Sequence, residues 1–119
     1  MTRRSAFDRY HEELSLLGLG FQANAANSAH QYTNVRCESV AQKKSVLRAL
    51  DDYGIEGRDY YNPPMHLHPF FLDDATRSAR ADLTVTEDMS ARVVSLPVHE
   101  SMDPADVDLV IEAVSKGAT

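Results

Sequence analysis

Between Thr2 and Leu17 the apolar residues Ala6, Phe7, Tyr10, Leu14 and Leu17 recur at three- and four-residue spacing, with Arg3, Asp8, Arg9, Glu12 and Glu13 at other positions. That period predicts an amphipathic helix, closed by Gly18 or Gly20. Gln22 to Ser28, rich in Ala and Asn, reads as a loop. From His30 to Cys37 the residues Tyr32, Thr33, Val35 and Cys37 have strand character, interrupted by Gln31, Asn34 and Arg36. A strand this polar is expected at a sheet edge, or with one face turned to ligand or solvent.

Ser39 followed by Gln42 forms a capping-box pattern, and Val40, Val46, Leu47 and Leu50 mark one face of a helix ending at Tyr53-Gly54. Ile55 to Tyr61 is predicted as a second strand, since a residue before proline prefers extended geometry. Phe70, Phe71 and Leu72 form a short apolar anchor, and Asp73 to Leu83 reads as a charged surface turn. Thr84 with Glu87 signals another capped helix running to about Arg92. Arg92 to Pro97, carrying Val93, Val94 and Leu96, is the most apolar strand pattern and is expected at the centre of the sheet. Asp103-Pro104 with Asp106 starts a last helix, whose stripe is Val107, Val110, Ile111 and Val114. The order α, β, α, β, short α, β, α predicts an α+β fold: a small, mostly antiparallel sheet of about three strands with helices packed on it.

With 119 residues, the chain is expected to form a single domain, residues 1–119, burying roughly two thirds of its unfolded surface without metal or disulfide staples. A net charge of −6 argues against general binding to nucleic acid or an anionic membrane, because both need a cationic field. Cys37 is the one cysteine, so no intrachain disulfide can form and a reducing cytoplasm is the simplest compartment. No apolar run approaches the roughly 20 residues of a membrane span, and Met1-Thr2-Arg3-Arg4 leads into charged helical sequence rather than a secretory signal.

Candidate chemistry gathers between Gly54 and Phe71, GIEGRDYYNPPMHLHPFF, where Arg58, Tyr60, Tyr61, His66 and His68 surround Pro63-Pro64. The prolines have fixed φ and no backbone donor, so the loop is stiff. On a strand, Arg58 and Tyr60 share a face and Tyr61 points oppositely, which would offer a guanidinium to a phosphate or carboxylate. The alternative is a surface arginine paired with an acid beside a tyrosine packed on the core. His66 and His68, two apart, could converge on a metal ion with His99, but no CxxC or HExxH spacing accompanies them and no metal is assigned. The carboxylate pairs Asp51-Asp52 and Asp73-Asp74 fit solvated helix ends and turns. Ser95, Ser101 and Cys37 lack a nucleophile context.

GIEGRDYYNPPMHLHPFF and, after a spacer, TEDMSARVVSLPVHESMDPADVDLVIEAV together resemble the C-terminal part of the DegT/DnrJ/StrS family of pyridoxal-phosphate-dependent sugar aminotransferases. The combination of GI-x-x-R, Tyr, Pro and His with LSLP and D-V-D-x-V-I carries the resemblance. It implies a fold-type I small domain, docking onto a large domain or subunit in trans that carries pyridoxal phosphate, the aldimine lysine and the phosphate-binding residues. It further implies that Arg58, Tyr60 or Tyr61, His66 and His68 approach a nucleotide-sugar in a shared pocket, with His99 near the same rim. Lys43 and Lys44 are expected on an exposed helix face and Lys116 near the C-terminus, so none has the desolvated setting of a Schiff-base lysine. The chain alone is therefore expected to bind no cofactor and to be inactive in isolation, as a fragment or split subunit of an aminosugar-forming enzyme. Alternatives are a non-catalytic nucleotide-sugar-binding or regulatory module, or a remnant whose bare face makes homo-oligomers.

Overall fold

A computed structural model describes residues 1–69 and 82–119. The first helix, α1, spans Arg3–Ser15, and the Thr2 hydroxyl accepts the Ser5 N–H at its start. Gly18, with φ +80°, turns the chain out of α1, as the glycine pattern predicts. Strand β1 is Gly20–Phe21 and β2 is Thr33–Arg36. Helix α2 spans Val40–Asp52 and stops at Gly54, where φ is +71°. Helix α3 is Thr84–Arg92, β3 is Val93–Leu96, and α4 is Pro104–Ala118. The sheet is antiparallel in the order β1-β2-β3, with Thr33 opposite Leu96 and Val35 opposite Val94.

The α+β class with a small antiparallel sheet is present, but the strands are placed differently from the expectation. The polar strand β2 is central, not at the edge, because its alternation buries Thr33 and Val35 while Asn34 and Arg36 occupy the other face. Asn34 is accommodated there by the Ser95 hydroxyl, which donates to its Oδ1 at 2.5 Å. Strand β3 lies on the outside of the ladder, and Ile55 to Tyr61 is not a strand: among the described residues it pairs only through an isolated bridge, Arg58 to Ser95. The third strand is instead the two-residue β1, too short to give an alternating signal.

Three helix starts show how local chemistry sets the ends. Asp103 and Asp106 form the reciprocal capping box of α4, each side chain accepting the other's backbone N–H at 2.9 Å. At α2 the Ser39 hydroxyl accepts from Gln42 N–H, while the Gln42 carbonyl oxygen reaches Glu38 N–H at 2.7 Å rather than Ser39. At α3 the expected Thr84 cap is displaced: Thr84 is already helical, and the Asp82 carboxylate accepts from its N–H and its hydroxyl. Phe70 to Leu72, Asp73-Asp74 and the rest of the expected turn before Asp82 lie outside the described residues.

The core joins Tyr10 and Leu14 of α1, Val35 and Val94 of the sheet, Val46 and Leu50 of α2, and Val107 and Val114 of α4. Its tightest seam is the crossing of α2 and α4, where a Cβ on Gly117 would lie 2.6 Å from Val46 Cα and 2.8 Å from the Ser45 carbonyl. Tyr10 is fully buried and donates its hydroxyl to the Pro97 carbonyl at 2.8 Å, linking α1 to the end of β3. Burial first, and the neighbouring Asp106 charge second, raise its phenol well above the usual tyrosine range.

Gly117→Ala is expected to lower stability by about 1–3 kcal/mol, since backbone overlap outweighs the ~1 kcal/mol gain in helix propensity; a urea midpoint at or above wild type would contradict the seam. Tyr10 supplies a pH signature. The unfolded chain loses this proton near pH 10 while the fold retains it, so the unfolded state binds fewer protons above that point. The contribution is therefore intact below about pH 10 and lost as pH rises beyond it, and denaturant titrations should show a shallower alkaline decline in Tyr10→Phe than in wild type.

Candidate functional site

Beyond Gly54 the chain is pulled in by the Ile55 N–H, which donates to Leu50 C=O at 2.9 Å. It then passes so close to α2 that a Cβ on Gly57 would meet Leu50 Cδ1 at 2.6 Å. Arg58 and Ser95 exchange both backbone hydrogen bonds, at 2.9 and 2.8 Å, fastening the loop to the free edge of β3. The peptide bonds Tyr60-Tyr61 and Asn62-Pro63 are cis, Pro64 is buried, and Met65–Leu67 forms a short 3₁₀ turn. The Ser90 hydroxyl on α3 donates to Tyr61 C=O at 2.7 Å.

The loop carries an aromatic cluster with a guanidinium at its side. Arg58 donates to the Tyr60 hydroxyl at 2.8 Å, lies 5.5 Å from that ring's centre, and pairs with Glu56 at 3.0 Å. Tyr61 does not point away from Tyr60 as strand geometry would require, since this segment is not a strand; the two rings stack at 5.0 Å and 23°. Tyr32, the residue before β2, meets Tyr60 edge-on at 5.7 Å. The hydrogen bond with Tyr32, followed by that neighbour's charge, raises the Tyr61 phenol above its ordinary value. Tyr32 is a site residue that sequence reasoning missed, because only the pairing of β2 with β3 brings it beside the loop.

Between this loop and α3 lies an open groove of about 890 Å³. Tyr60, Tyr61, Pro63 and Met65 form one wall, with Val85, Met89 and Val93 opposite and His68 also lining it. Exposed apolar side chains rim it, including Tyr61, Met65 at 76% and Val85 at 77%. His66 is engaged elsewhere, with its Nε2 2.9 Å from Glu87 Oε1, and so ties the 3₁₀ turn to α3. His99 is exposed and does not line the groove. Among the described residues no group of three or more His, Cys, Asp or Glu is arranged to hold a metal ion. A second concavity of about 600 Å³ lies between α1 and β1, walled by Phe7, His11 and Phe21.

The lysines are distributed unlike the expectation for one of them. Lys44 and Lys116 are exposed, but Lys43 is only 3% exposed, because it continues the buried Val46–Leu50 stripe of α2. Its ammonium donates to the Asp59 carboxylate and to Ser90 C=O. No lysine lines either concavity. Burial raises the Cys37 thiol, with Lys43 and Arg92 opposing it, and the side chain belongs to the core.

Comparison with known proteins bears directly on this arrangement. The family profile of the DegT/DnrJ/EryC1/StrS aminotransferases matches residues 1–115. Protein Rv3402c of Mycobacterium tuberculosis is 41% identical over 115 residues, covering 97% of this chain and 28% of its own length. GDP-perosamine synthase of Caulobacter vibrioides is 34% identical over 74 residues, 62% of this chain and 19% of the synthase. Among solved structures, the aminotransferase TlmJ of Streptoalloteichus hindustanus superposes with a TM-score of 0.78 at 25% identity, over 97% of this chain and 30% of TlmJ. The chain thus spans less than a third of the length of these relatives.

Proposed function

The chain belongs to the DegT/DnrJ/EryC1/StrS aminotransferase family, and from that premise we propose that it furnishes the substrate-side loop of a nucleotide-sugar aminotransferase, with the coenzyme carried by a large domain in trans. The observation that carries this reading is the juxtaposition of the stacked Tyr60 and Tyr61, which line the groove, with Arg58, which reaches the Tyr60 hydroxyl from beside the groove without lining it. A guanidinium presents a planar fork of donors that matches a diphosphate, and stacked phenol rings offer faces to a flat base or the apolar face of a sugar. His68 stands at the same groove, and His66, paired with Glu87, holds the turn between them. The name of GDP-perosamine synthase supports a sugar nucleotide as the ligand class.

Pyridoxal phosphate, which the family implies, supplies an electron sink when bound. The residues of this chain do not fit it: Lys44 and Lys116 are exposed outside the concavities, and Lys43 is occupied by Asp59 and Ser90 C=O. No catalytic step on this chain therefore runs through the coenzyme. The chain's own part is to bind and orient: Arg58 fixes the anionic group, and the tyrosines exclude water from the adjoining ring. The same lysine placement favours a second reading, a non-catalytic nucleotide-sugar-binding or regulatory module. In either reading the protein works in a reducing cytoplasm, and the exposed groove rim is also a surface through which copies could associate. Among the described residues no helix is long and apolar enough to cross a membrane.

On the second reading, calorimetric titration with GDP-mannose and UDP-glucose should give saturable binding of at least one, and Arg58→Ala should weaken it roughly tenfold or more; absence of heat with both would remove that reading. Amino transfer to a keto-sugar nucleotide, appearing only when the chain is mixed with a coenzyme-loaded large domain, separates the first reading from the second. Mixing the chain alone with pyridoxal phosphate and reducing with borohydride should yield no stoichiometric lysyl adduct. A single fully labelled lysine would overturn the assignment of the coenzyme to a partner.

A further inference from the structure

Lys43 is a charged residue in an apolar stripe, and the groups it gathers come from separate parts of the fold. The ammonium donates to the Asp59 carboxylate in the loop and, at 2.9 Å, to Ser90 C=O in α3. Asp59 in turn accepts from the Asn62 side chain at 3.3 Å, and the Ser90 hydroxyl holds Tyr61 C=O. One buried cation on α2 therefore holds Asp59 directly and Asn62 through it, beside the α3 serine that holds Tyr61, and Asp59 lies in the chain directly between Arg58 and Tyr60.

We propose that Lys43 is a positioning residue for the candidate ligand site, setting where the loop presents Arg58, Tyr60 and Tyr61. The physical reason is that stability alone does not call for it. An apolar side chain of similar length fills such a stripe without the desolvation cost of an ammonium, and replacing buried ionic groups by well-packed apolar ones is often neutral or stabilising. What a methyl group cannot do is hold a carboxylate at a defined point. The Asp59 side chain is 40% exposed, so it is hydrated when its partner is removed, and the loop loses a tie at Asp59 that the Arg58–Ser95 bridge, the Ser90–Tyr61 bond and the His66–Glu87 contact do not replace there.

This inference rests on the loop being the ligand-facing surface, and its test has a readout that does not depend on ligand. In Lys43→Met, the thermal midpoint should stay within a few degrees of wild type, while the NMR amide resonances of Asp59 to Asn62 and the near-ultraviolet tyrosine dichroism change; Lys43→Arg should restore both. Affinity for GDP-mannose, where wild type shows it, should fall about tenfold in Lys43→Met, the loss expected when the displaced loop no longer brings Arg58 to make one charge-assisted hydrogen bond to the ligand. Wild-type loop resonances in Lys43→Met would overturn the proposal. Should that variant fail to fold, Asp59→Asn carries the same test: displaced Tyr60 to Asn62 resonances support the proposal, and unmoved ones overturn it. A wild-type chain that binds no nucleotide-sugar would remove the binding-module reading but leave the loop signature to decide the role of Lys43.

Discussion

The loop that carries the candidate site depends on one pair of backbone hydrogen bonds, those exchanged by Arg58 and Ser95. A strand edge offers alternating unpaired donors and acceptors, and a single residue of the loop takes one such pair on β3 before the chain turns away. That bridge fixes the origin of the loop relative to the sheet. Because Ser95 also hydrogen-bonds Asn34 on the central strand, the attachment is braced across the sheet rather than resting on its margin. The arginine is thus held by its backbone, leaving its guanidinium to reach Tyr60 and Glu56 at a half-exposed position.

The helices were legible in the sequence because their information is local. Period, cap and terminating glycine lie within one element: α1 was marked by its period and closing glycine, α2 by its Ser39 cap and Gly54, and α4 by Asp103 and Asp106, while at α3 the helix was legible but its cap was misplaced, Asp82 serving instead of Thr84. The sheet was less legible because strand position is decided by partners. Residues Thr33 to Arg36 look like an edge when polarity is counted, yet a central strand with one open face needs only Thr33 and Val35 to be inward. Conversely, Val93 to Leu96 is apolar because it is buried against α2 and the core, not because it has a strand on each side.

The candidate site divides along the same line. Arg58, Tyr60, Tyr61 and His68 were visible as an unusual run of residue types on a stiff loop, and Arg58, Tyr60 and Tyr61 converge in space, with His68 sharing the groove. Their relation to one another was not visible, since it assumed an extended segment where the chain in fact bends. Tyr32 and Lys43 were hidden for complementary reasons. The tyrosine reaches the loop only through tertiary pairing, and the lysine's chemical type argues for solvent while its helical position, three before Val46 and seven before Leu50, argues for the core. When residue type and position conflict in this way, the partner that reconciles them has to come from elsewhere in the fold; here it comes from Asp59 and α3.

The proposed division of labour also constrains what this surface can discriminate. Recognition by a guanidinium and stacked rings selects an anionic group joined to something flat, because every base has a face to stack on and every diphosphate can meet the fork. Discrimination among sugars that differ in a hydroxyl requires buried polar groups left unpaired by the wrong ligand. The groove wall combines the apolar Pro63, Met65, Val85, Met89 and Val93 with the polar side chains of Tyr60, Tyr61, His68, Thr86 and Ser90, and the Ser90 hydroxyl is already given to Tyr61 C=O. On the proposed reading, this chain therefore supplies affinity for the nucleotide-sugar class through its guanidinium and rings, and the groups on this wall able to tell one sugar from another are the Thr86 hydroxyl, the His68 imidazole and the tyrosine hydroxyls.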